Sequence, residues 1–386
     1  MLSKKIFSKL IITIISIGVG LSQEWIPIES GFAGSITSLS FANDSHGAAS
    51  CSNGVILKTV DSGLTWSTIQ SPATSTLNDI SYINEDIIVA VGDGPIIIRS
   101  VNGGVDWSII PSGISYGLLS VDIDSSGNGI AGGFGQTIII TDDYGASWST
   151  YQTDMFGGKF SGAHMIDDNI GFVFGENSIF GPLVARTTNG GASWQFDSFY
   201  LVENDVSYEG YLLDGYFFDA NHGQIIGHRF DNHGAISTTE DYSNWSTLHF
   251  FDTLNDIDFM NENEGFASGA NGLVLSTIDG GESWSEEYMA ESLTLNTIAV
   301  VGESVILTAG EFGTIFRQAL GPSGIIGDVN NDGSVDVLDI VRIVNIIVGN
   351  LPEPTGYELW AGDFNADGNL NVLDVIAIIN VIIGTN

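Results

Sequence analysis

Between residues 36 and 320 the chain alternates short apolar runs with polar turns, and no stretch there keeps a helical period. The run from Leu118 to Tyr151 is typical. It alternates apolar and polar residues, turns at Ser125-Ser126-Gly127-Asn128, is apolar again to Gly132 and turns at Phe134-Gly135. It then runs through Ile138 to Ile140 and turns once more before Trp148. Such runs, separated by Gly, Asn and Asp turns, predict antiparallel strands, four to a unit. The unit recurs: from Trp66 the tryptophans step by 41, 41, 46, 51 and 39 residues to Trp284. A stride of roughly 40 to 50 residues is one four-stranded propeller blade.

The last turn of each unit carries a short signature, Thr59 to Trp66 in the first. Copies stand at Ser100 to Trp107, Thr141 to Trp148, Thr187 to Trp194, Thr238 to Trp245 and Thr277 to Trp284. The hydroxyl and the Asp or Asn have short polar side chains that can bond a tight turn, and the Gly can take the positive φ such turns need. The Trp brings a large apolar surface from the outer strand toward the next blade. The signature resembles the Asp-box (BNR) repeat. The unit, best seen from Arg186 to Trp194, is similar to propellers of the photosystem II assembly-factor type. The copy at Thr238 departs from it, with Glu240 for Asp and Tyr242 for Gly. Sialidases, xyloglucanases, sortilin-like receptors and assembly factors share the box, so the resemblance implies a fold rather than an activity.

Trp25 lies 41 residues before Trp66 without a box, while the last unit, Asn296 to Leu320, stops where its box should be. The first residues should therefore supply the missing outer strand, pairing near Phe316 and closing seven blades over residues 23–320. Closure removes open sheet edges.

Charge narrows the range of partners. With 47 acidic and 10 basic residues the net charge is −37, a field that repels nucleic acid and anionic lipid. Residues 1–22 read as a secretory signal peptide, with Lys4, Lys5 and Lys9 before the apolar stretch Leu10 to Val19. That stretch is short for a membrane span, so a secreted or periplasmic protein without a membrane span is expected. Cys51, the one cysteine, reads as a small buried residue.

The two longest units hold extra residues in Tyr151 to Ala163 and Phe196 to Phe218. Read as loops, these offer Tyr200, Tyr208, Tyr211 and Tyr216 as candidate ligand-binding residues, for sugar rings, or as a loop packed on its own aromatic side chains. No catalytic constellation stands out. Lys58, Arg99, Arg186 and Arg317 all fall just before the box position and belong to the repeat, which argues against a sialidase arginine clamp. A glycosidase carboxylate pair is harder to dismiss in so acidic a chain. His228, Arg229, Asp231 and His233 form a local polar cluster that reads as a decorated turn.

Beyond a linker at 321–326 the pattern changes to two copies offset by 35, starting at Gly327 and Gly362. In the first, Asp328, Asn330, Asp332, Ser334, Asp336 and Asp339 fall at positions 1, 3, 5, 7, 9 and 12 around Gly333. In the second, Asp363, Asn365, Asp367, Asn369, Asn371 and Asp374 do so around Gly368. Alternate oxygen ligands about a Gly turn predict two Ca²⁺ sites. Asp at position 12, with no helix entering the first loop, resembles the dockerin type I domain over residues 327–386. That resemblance implies two loop-helix units in pseudo-twofold arrangement that fold on calcium and dock to a cohesin. It places Val337, Leu338, Val372 and Leu373 at partner-contacting positions, where many dockerins carry hydroxyl residues.

The expected protein is mainly β: a seven-bladed propeller closed by its N-terminal strand, followed by a small α-helical calcium-binding domain. Its expected function is that of a secreted, non-catalytic binding protein, tethered by its tail to a cohesin-like or surface partner. The alternatives are an extracellular polysaccharide-degrading (O-glycosyl hydrolase) or accessory protein, and an assembly chaperone like the photosystem factor.

Overall fold

The computed structural model describes residues 24–153, 157–177, 181–198, 201–203, 206–289, 292–302, 304–320, 326–352, 354–365 and 369–383. The expected signal peptide, residues 1–22, therefore lies outside the described residues. The sequence forms seven four-stranded antiparallel sheets, each a meander except the last. The first strands of successive sheets touch, and that of the seventh, Leu295–Val301, returns to that of the first, Ile36–Phe41. The seven sheets are thus blades of one ring.

Ring closure is as predicted. Ile26–Glu29 pairs with Thr314–Ala319 in the register Ile26↔Arg317, Pro27↔Phe316, Ile28↔Ile315 and Glu29↔Thr314. Pro27 is tolerated because this is the outer edge strand.

Among the described residues, a buried apolar cluster fills each of the seven spaces between blades, and each takes one tryptophan. Trp66, Trp107, Trp148, Trp194, Trp245 and Trp284 serve six of them, and Trp25 serves the seam beside Phe316. The near-constant stride thus reflects one indole per interface, each carrying on the order of 150–250 Å² of surface.

The box turn explains how the indole is aimed. Thr59 donates to Asp61 at 2.8 Å and accepts from the Gly63 N–H at 3.0 Å, while Asp61 accepts from the Thr65 N–H at 2.9 Å and its hydroxyl at 2.6 Å. The indole N–H of Trp66 then closes on the Gly63 carbonyl at 3.1 Å. Gly63 has φ 80°, and an added Cβ would lie 2.3 Å from Leu307 of the neighbouring blade, so both conformation and space require glycine. Trp25, lacking a box, donates instead to Glu287 at 3.1 Å.

The repeated cations tie four of the blades to the next. Lys58 donates to the Gly103 carbonyl, Arg99 to Tyr144 at 2.7 Å and Arg317 to Ser62 at 3.0 Å, all in the box turn of the following blade. Arg186 donates to Ala220 at 2.8 Å and stacks 3.9 Å from the Tyr242 ring. They serve separate interfaces, so the repeat uses them and no anion clamp forms.

Two expectations are corrected. The fifth box is one residue shorter than its sequence alignment implies. Thr239, not Thr238, stands at the strand end that pairs with Gly223, as Thr59 does with Gly47, and Asp241 rather than Glu240 bonds the turn through the Ser243 and Asn244 N–H groups at 2.9 and 2.7 Å. Tyr242 then stands where Ser62 and Tyr144 do, with φ 60°, and the glycine that follows in other boxes is the residue left out, so the Trp245 indole closes on the Tyr242 carbonyl at 3.2 Å. The extra residues of the long units also do more than extend loops. They lengthen the first strands of blades 4 and 5, Lys159–Met165 and Gly210–Phe217, and add a hairpin, Leu201–Glu203 with Val206–Tyr208.

Among the described residues the tail holds three helices, α1 (Val337–Ile347), α2 (Gly356–Gly362) and α3 (Val372–Ile383), around Val329, Ile343, Ala361, Val375 and Ile378. The sequence reading did not anticipate α2, although its capping box, Thr355 and Glu358 bonded reciprocally, is a legible start signal. No helix among the described residues is long and apolar enough to cross a membrane.

Candidate calcium loops and the central channel

Each tail loop folds around carboxylates withdrawn from water. Asp328 is 1% exposed and Asp339 0%. Asp328 accepts from the Asp332 and Gly333 N–H groups at 3.1 and 2.8 Å, and Asp339 from those of Asn330 and Asp336 at 3.0 and 2.8 Å. Gly333, at φ 87°, makes the sharp turn. Asp336 also caps α1 through the Leu338 N–H at 2.6 Å. The second loop repeats the plan: Asp374, 0% exposed, accepts from Asn365 and Asn371 at 3.2 and 2.9 Å, and Asn371 caps Leu373 at 2.9 Å. Asp367 and Gly368 lie outside the described residues.

This donor set fits a hard cation. Buried carboxylates held only by neutral N–H groups lack compensating charge, and the cation of this domain, Arg342, is committed to Glu358 at 2.5 Å. Asp, Asn and Ser oxygens alternate along the loops as Ca²⁺ requires. Among the described residues no three acidic or imidazole groups converge as a metal cluster.

Past the loops, Val337 and Leu338 on α1 and Val372 and Leu373 on α3 are all more than half exposed, and Val341 and Ile376 continue the two stripes at the same offset. The predicted partner-contacting positions are therefore solvent-facing and related by the internal repeat.

The ring adds a feature the sequence reading missed. The first strand of every blade carries a bulge at the same place, for example Leu77/Asp79 and Leu254/Asp256. The bulges turn two tiers of side chains into a central channel, with a cavity of about 340 Å³ lined by Asp79, Asp122, Asp214, Asp256, Asp258 and His164. First strands of neighbouring blades share no ladder, so their N–H groups need other acceptors. The aspartates supply them: Asp79 takes the Val121 N–H, Asp122 that of Met165 and Asp256 that of Ile298, each at 2.8 Å, and Asp258 takes Val300 at 2.7 Å. One bulge residue also reaches back, Asn78 to Leu118 and Asn255 to Leu295 at 2.8 Å.

Desolvation dominates the acidity here. Burial pushes Asp79 up to about 6 and Asp258 to about 7, against the backbone N–H bonds. Asp214 is pushed well up by burial and then by Asp256 across the blade interface. A signal was present: Leu-Asn-Asp-Ile occurs at both Leu77 to Ile80 and Leu254 to Ile257.

Two families match different parts of the chain. Residues 326–383 match the dockerin type I domain, and residues 18–114 and 236–312 match the photosynthesis system II assembly factor YCF48. The chain is a Ycf48-like Asp-box propeller joined to a dockerin type I domain. The photosystem II assembly lipoprotein Ycf48 of Prochlorococcus marinus (strain MIT 9312) is 41% identical over 51 residues, which is 13% of this chain and only 15% of that protein's length. Among solved structures, YCF48 bound to D1 peptide aligns with TM-score 0.61 and 19% identity over 76% of this chain and 94% of its own. YCF48 from Cyanidioschyzon merolae gives 0.59 and 15% over 76% and 98%. The WD40 propeller of Doa1 gives 0.59 and 13% over 76% and 96%, so these likenesses are of fold.

Of the four candidate tyrosines, two can be placed on the Ycf48-like ring. Tyr200 and the Tyr208 side chain lie outside the described residues. Tyr211 and Tyr216 stand on one strand five residues apart. Tyr211 bonds His228 at 3.1 Å with Lys159 5.3 Å from its ring centre, whereas Tyr216 lines the channel, 4.8 Å from the His164 ring. In the His228 cluster the backbone turns between Arg229 and His233, whose carbonyl accepts from the Arg229 N–H at 2.9 Å, while His228 bonds outside it. Asp231 holds Arg229 at 2.6 Å and His233 at 3.1 Å, and His228 faces the Leu254 carbonyl at 2.5 Å.

Proposed function

We propose that this is a secreted, non-catalytic binding protein, in which the Ycf48-like ring recognises a ligand and the dockerin domain, folded on two Ca²⁺ ions, tethers it to a cohesin-like or cell-surface protein. The observation that carries this reading is the pairing of charge-starved buried carboxylates, Asp328, Asp339 and Asp374, with two repeat-related exposed apolar stripes beginning at Val337 and Val372. A stripe of that kind on a small domain marks a docking face. Its helices start at the Asp336 and Asn371 caps inside the loops, so calcium binding orders the loops and fixes the docking residues together. The predicted signal peptide supports export, and with it the boundaries 1–22, 23–320, 321–326 and 327–386.

The test is hydrogen exchange of the intact protein with calcium and with a chelator. Protection across α1 and α3 should collapse without calcium while the ring's strands stay protected. Unchanged protection in the last sixty residues would refute the tether. A second reading, an assembly factor acting on a membrane-protein client, is favoured by the match to YCF48 over two segments of the ring. Co-purification of such a client with the ring, independent of calcium, would favour it.

A further inference from the structure

In blades 1, 6 and 7 the second and third strands meet in a tight turn whose two central residues both have positive φ, and the first of them need not be glycine. In blades 1 and 6 that residue is Asn53 or Asn271, a side chain suited to the conformation, followed by glycine. In blade 7 it is Phe312, at φ 56° and 72% exposed. A phenylalanine there strains the backbone and recovers nothing by burial, and such strain persists where a function uses it. The ring overhangs a cleft of about 760 Å³ at the seam between blades 6 and 7, shared with Trp25, Phe32, Tyr288, Met289 and Phe316. Among the described residues its charged lining is Glu24, Glu29 and Glu287, and no Lys, Arg or His lines it. Tyr288 is held by its hydroxyl on Asp252 and Glu286 at 3.2 and 3.3 Å, leaving its ring half exposed.

We propose that this cleft binds an extended basic peptide segment, whose Lys or Arg side chains lie over Phe312 and Tyr288 and pair with Glu24, Glu29 and Glu287. The argument is charge complementarity: aromatic faces attract cations, the three carboxylates add to the attraction, and the net charge of −37 steers a cation toward the ring. A neutral sugar could use the rings and donate hydroxyls to the carboxylates but would leave their three charges uncompensated, and an anion would be repelled. The outer strand Ile26–Glu29 is largely exposed and offers backbone groups to an extended chain. This deepens the reading of the ring as the recognition element and does not involve the tail.

The test uses the full chain with calcium, titrated at low salt with a fluorescent octapeptide of alternating Lys and Ala. A Glu-Ala octapeptide and cellohexaose serve as competitors. Phe312→Asn, and separately Glu29→Gln with Glu287→Gln, should each weaken binding about tenfold or more, while Glu262→Gln, an exposed acid lining no part of the cleft, should not. Phe312→Asn should fold with an equal or higher melting temperature, because Asn suits the turn. Equal binding by all variants would mean that only the overall charge attracts the peptide. Displacement by cellohexaose would assign the cleft to sugars. Either result, or no binding, overturns the proposal. Calcium-dependent protection of the tail should be the same in every variant, so a failure here leaves the tether reading standing.

Discussion

The channel aspartates make the ring less stable as pH rises, the reverse of the usual carboxylate effect, and Asp258→Asn should remove part of that slope. Asp258 accepts from the Phe259 N–H at 2.8 Å and the Val300 N–H at 2.7 Å. Burial nevertheless pushes it up to about 7, with Asp256 and Asp122 adding repulsion. Its native pKa is thus above its unfolded one. Between about pH 4 and 7 the native protein holds a proton that the unfolded chain has released, so unfolding free energy falls across that window and is flat above it. Comparing pH 5.5 with pH 8.5 leaves about 1.5 units of the shift to be felt, ~2 kcal/mol at 1.36 kcal/mol per unit. Asp258 is partly exposed to channel water, and screening reduces this to roughly 1 kcal/mol. Asn has no charge to desolvate, but its amide can accept only one of the two N–H groups well, a fixed loss of about 1 kcal/mol at either pH. The variant should therefore be about 1 kcal/mol less stable than wild type at pH 5.5 and nearly equal to it at pH 8.5. Guanidinium unfolding followed by tryptophan fluorescence, at fixed calcium, measures the difference at each pH. A gap that does not change with pH would refute the reasoning.

Asp61→Ala removes the acceptor of the Thr59 hydroxyl and of both Thr65 donors, and should cost about 1–2 kcal/mol in urea unfolding. Trp25→Ala empties the interface between blades 6 and 7, where the indole is 8% exposed. It should cost about 3–5 kcal/mol and expose the N-terminal strand to limited proteolysis before the other blades. Asp328→Ala should abolish one of two calcium-binding events by calorimetry and leave the melting of the ring unchanged.

What was legible in the chain was whatever repeats along it. The indole stride gave the blade number because each interface takes one Trp, and Trp25 with the boxless last unit gave the closure, seen as Pro27↔Phe316. The fifth box misled by one residue because Thr238 and Thr239 are both hydroxylic and only strand pairing decides between them. The insertions looked like loops because a bulged strand interrupts its own alternation, as at Leu212/Asp214. The channel was hidden for a related reason. Asp79, Asp122 and Asp258 alternate with apolar residues as solvent-facing positions do, and only closing the ring turns those positions toward one another. In the tail, position within the loop gave the candidate oxygen ligands, whereas α2 went unseen because its start is marked by little beyond the Thr355 and Glu358 capping box.

The ring carries two sets of acids that titrate in opposite senses, and together they fix where it should be most stable. In the box turns burial opposes ionisation, but hydrogen bonds from neighbouring hydroxyl and N–H groups outweigh it and hold Asp61 and Asp143 below the usual carboxylate range. Their stabilisation is present above the unfolded pKa and is lost as pH falls through the lowered native value. In the channel Asp79, at about 6, and Asp258, at about 7, lose stability as pH rises. The melting temperature at constant calcium should then peak near pH 5 and decline toward neutrality. Self-repulsion at a net charge of −37 would also lower stability as pH rises, but the two causes part under salt. Salt shortens the Debye length to about 10 Å at 0.1 M and less above it, which flattens the long-range repulsion among surface charges. It leaves the desolvation of the channel acids in place. A decline above pH 5 that persists at high salt is the expected result. A decline that salt erases would assign the pH dependence to the surface and leave the channel aspartates as ordinary acceptors between blades.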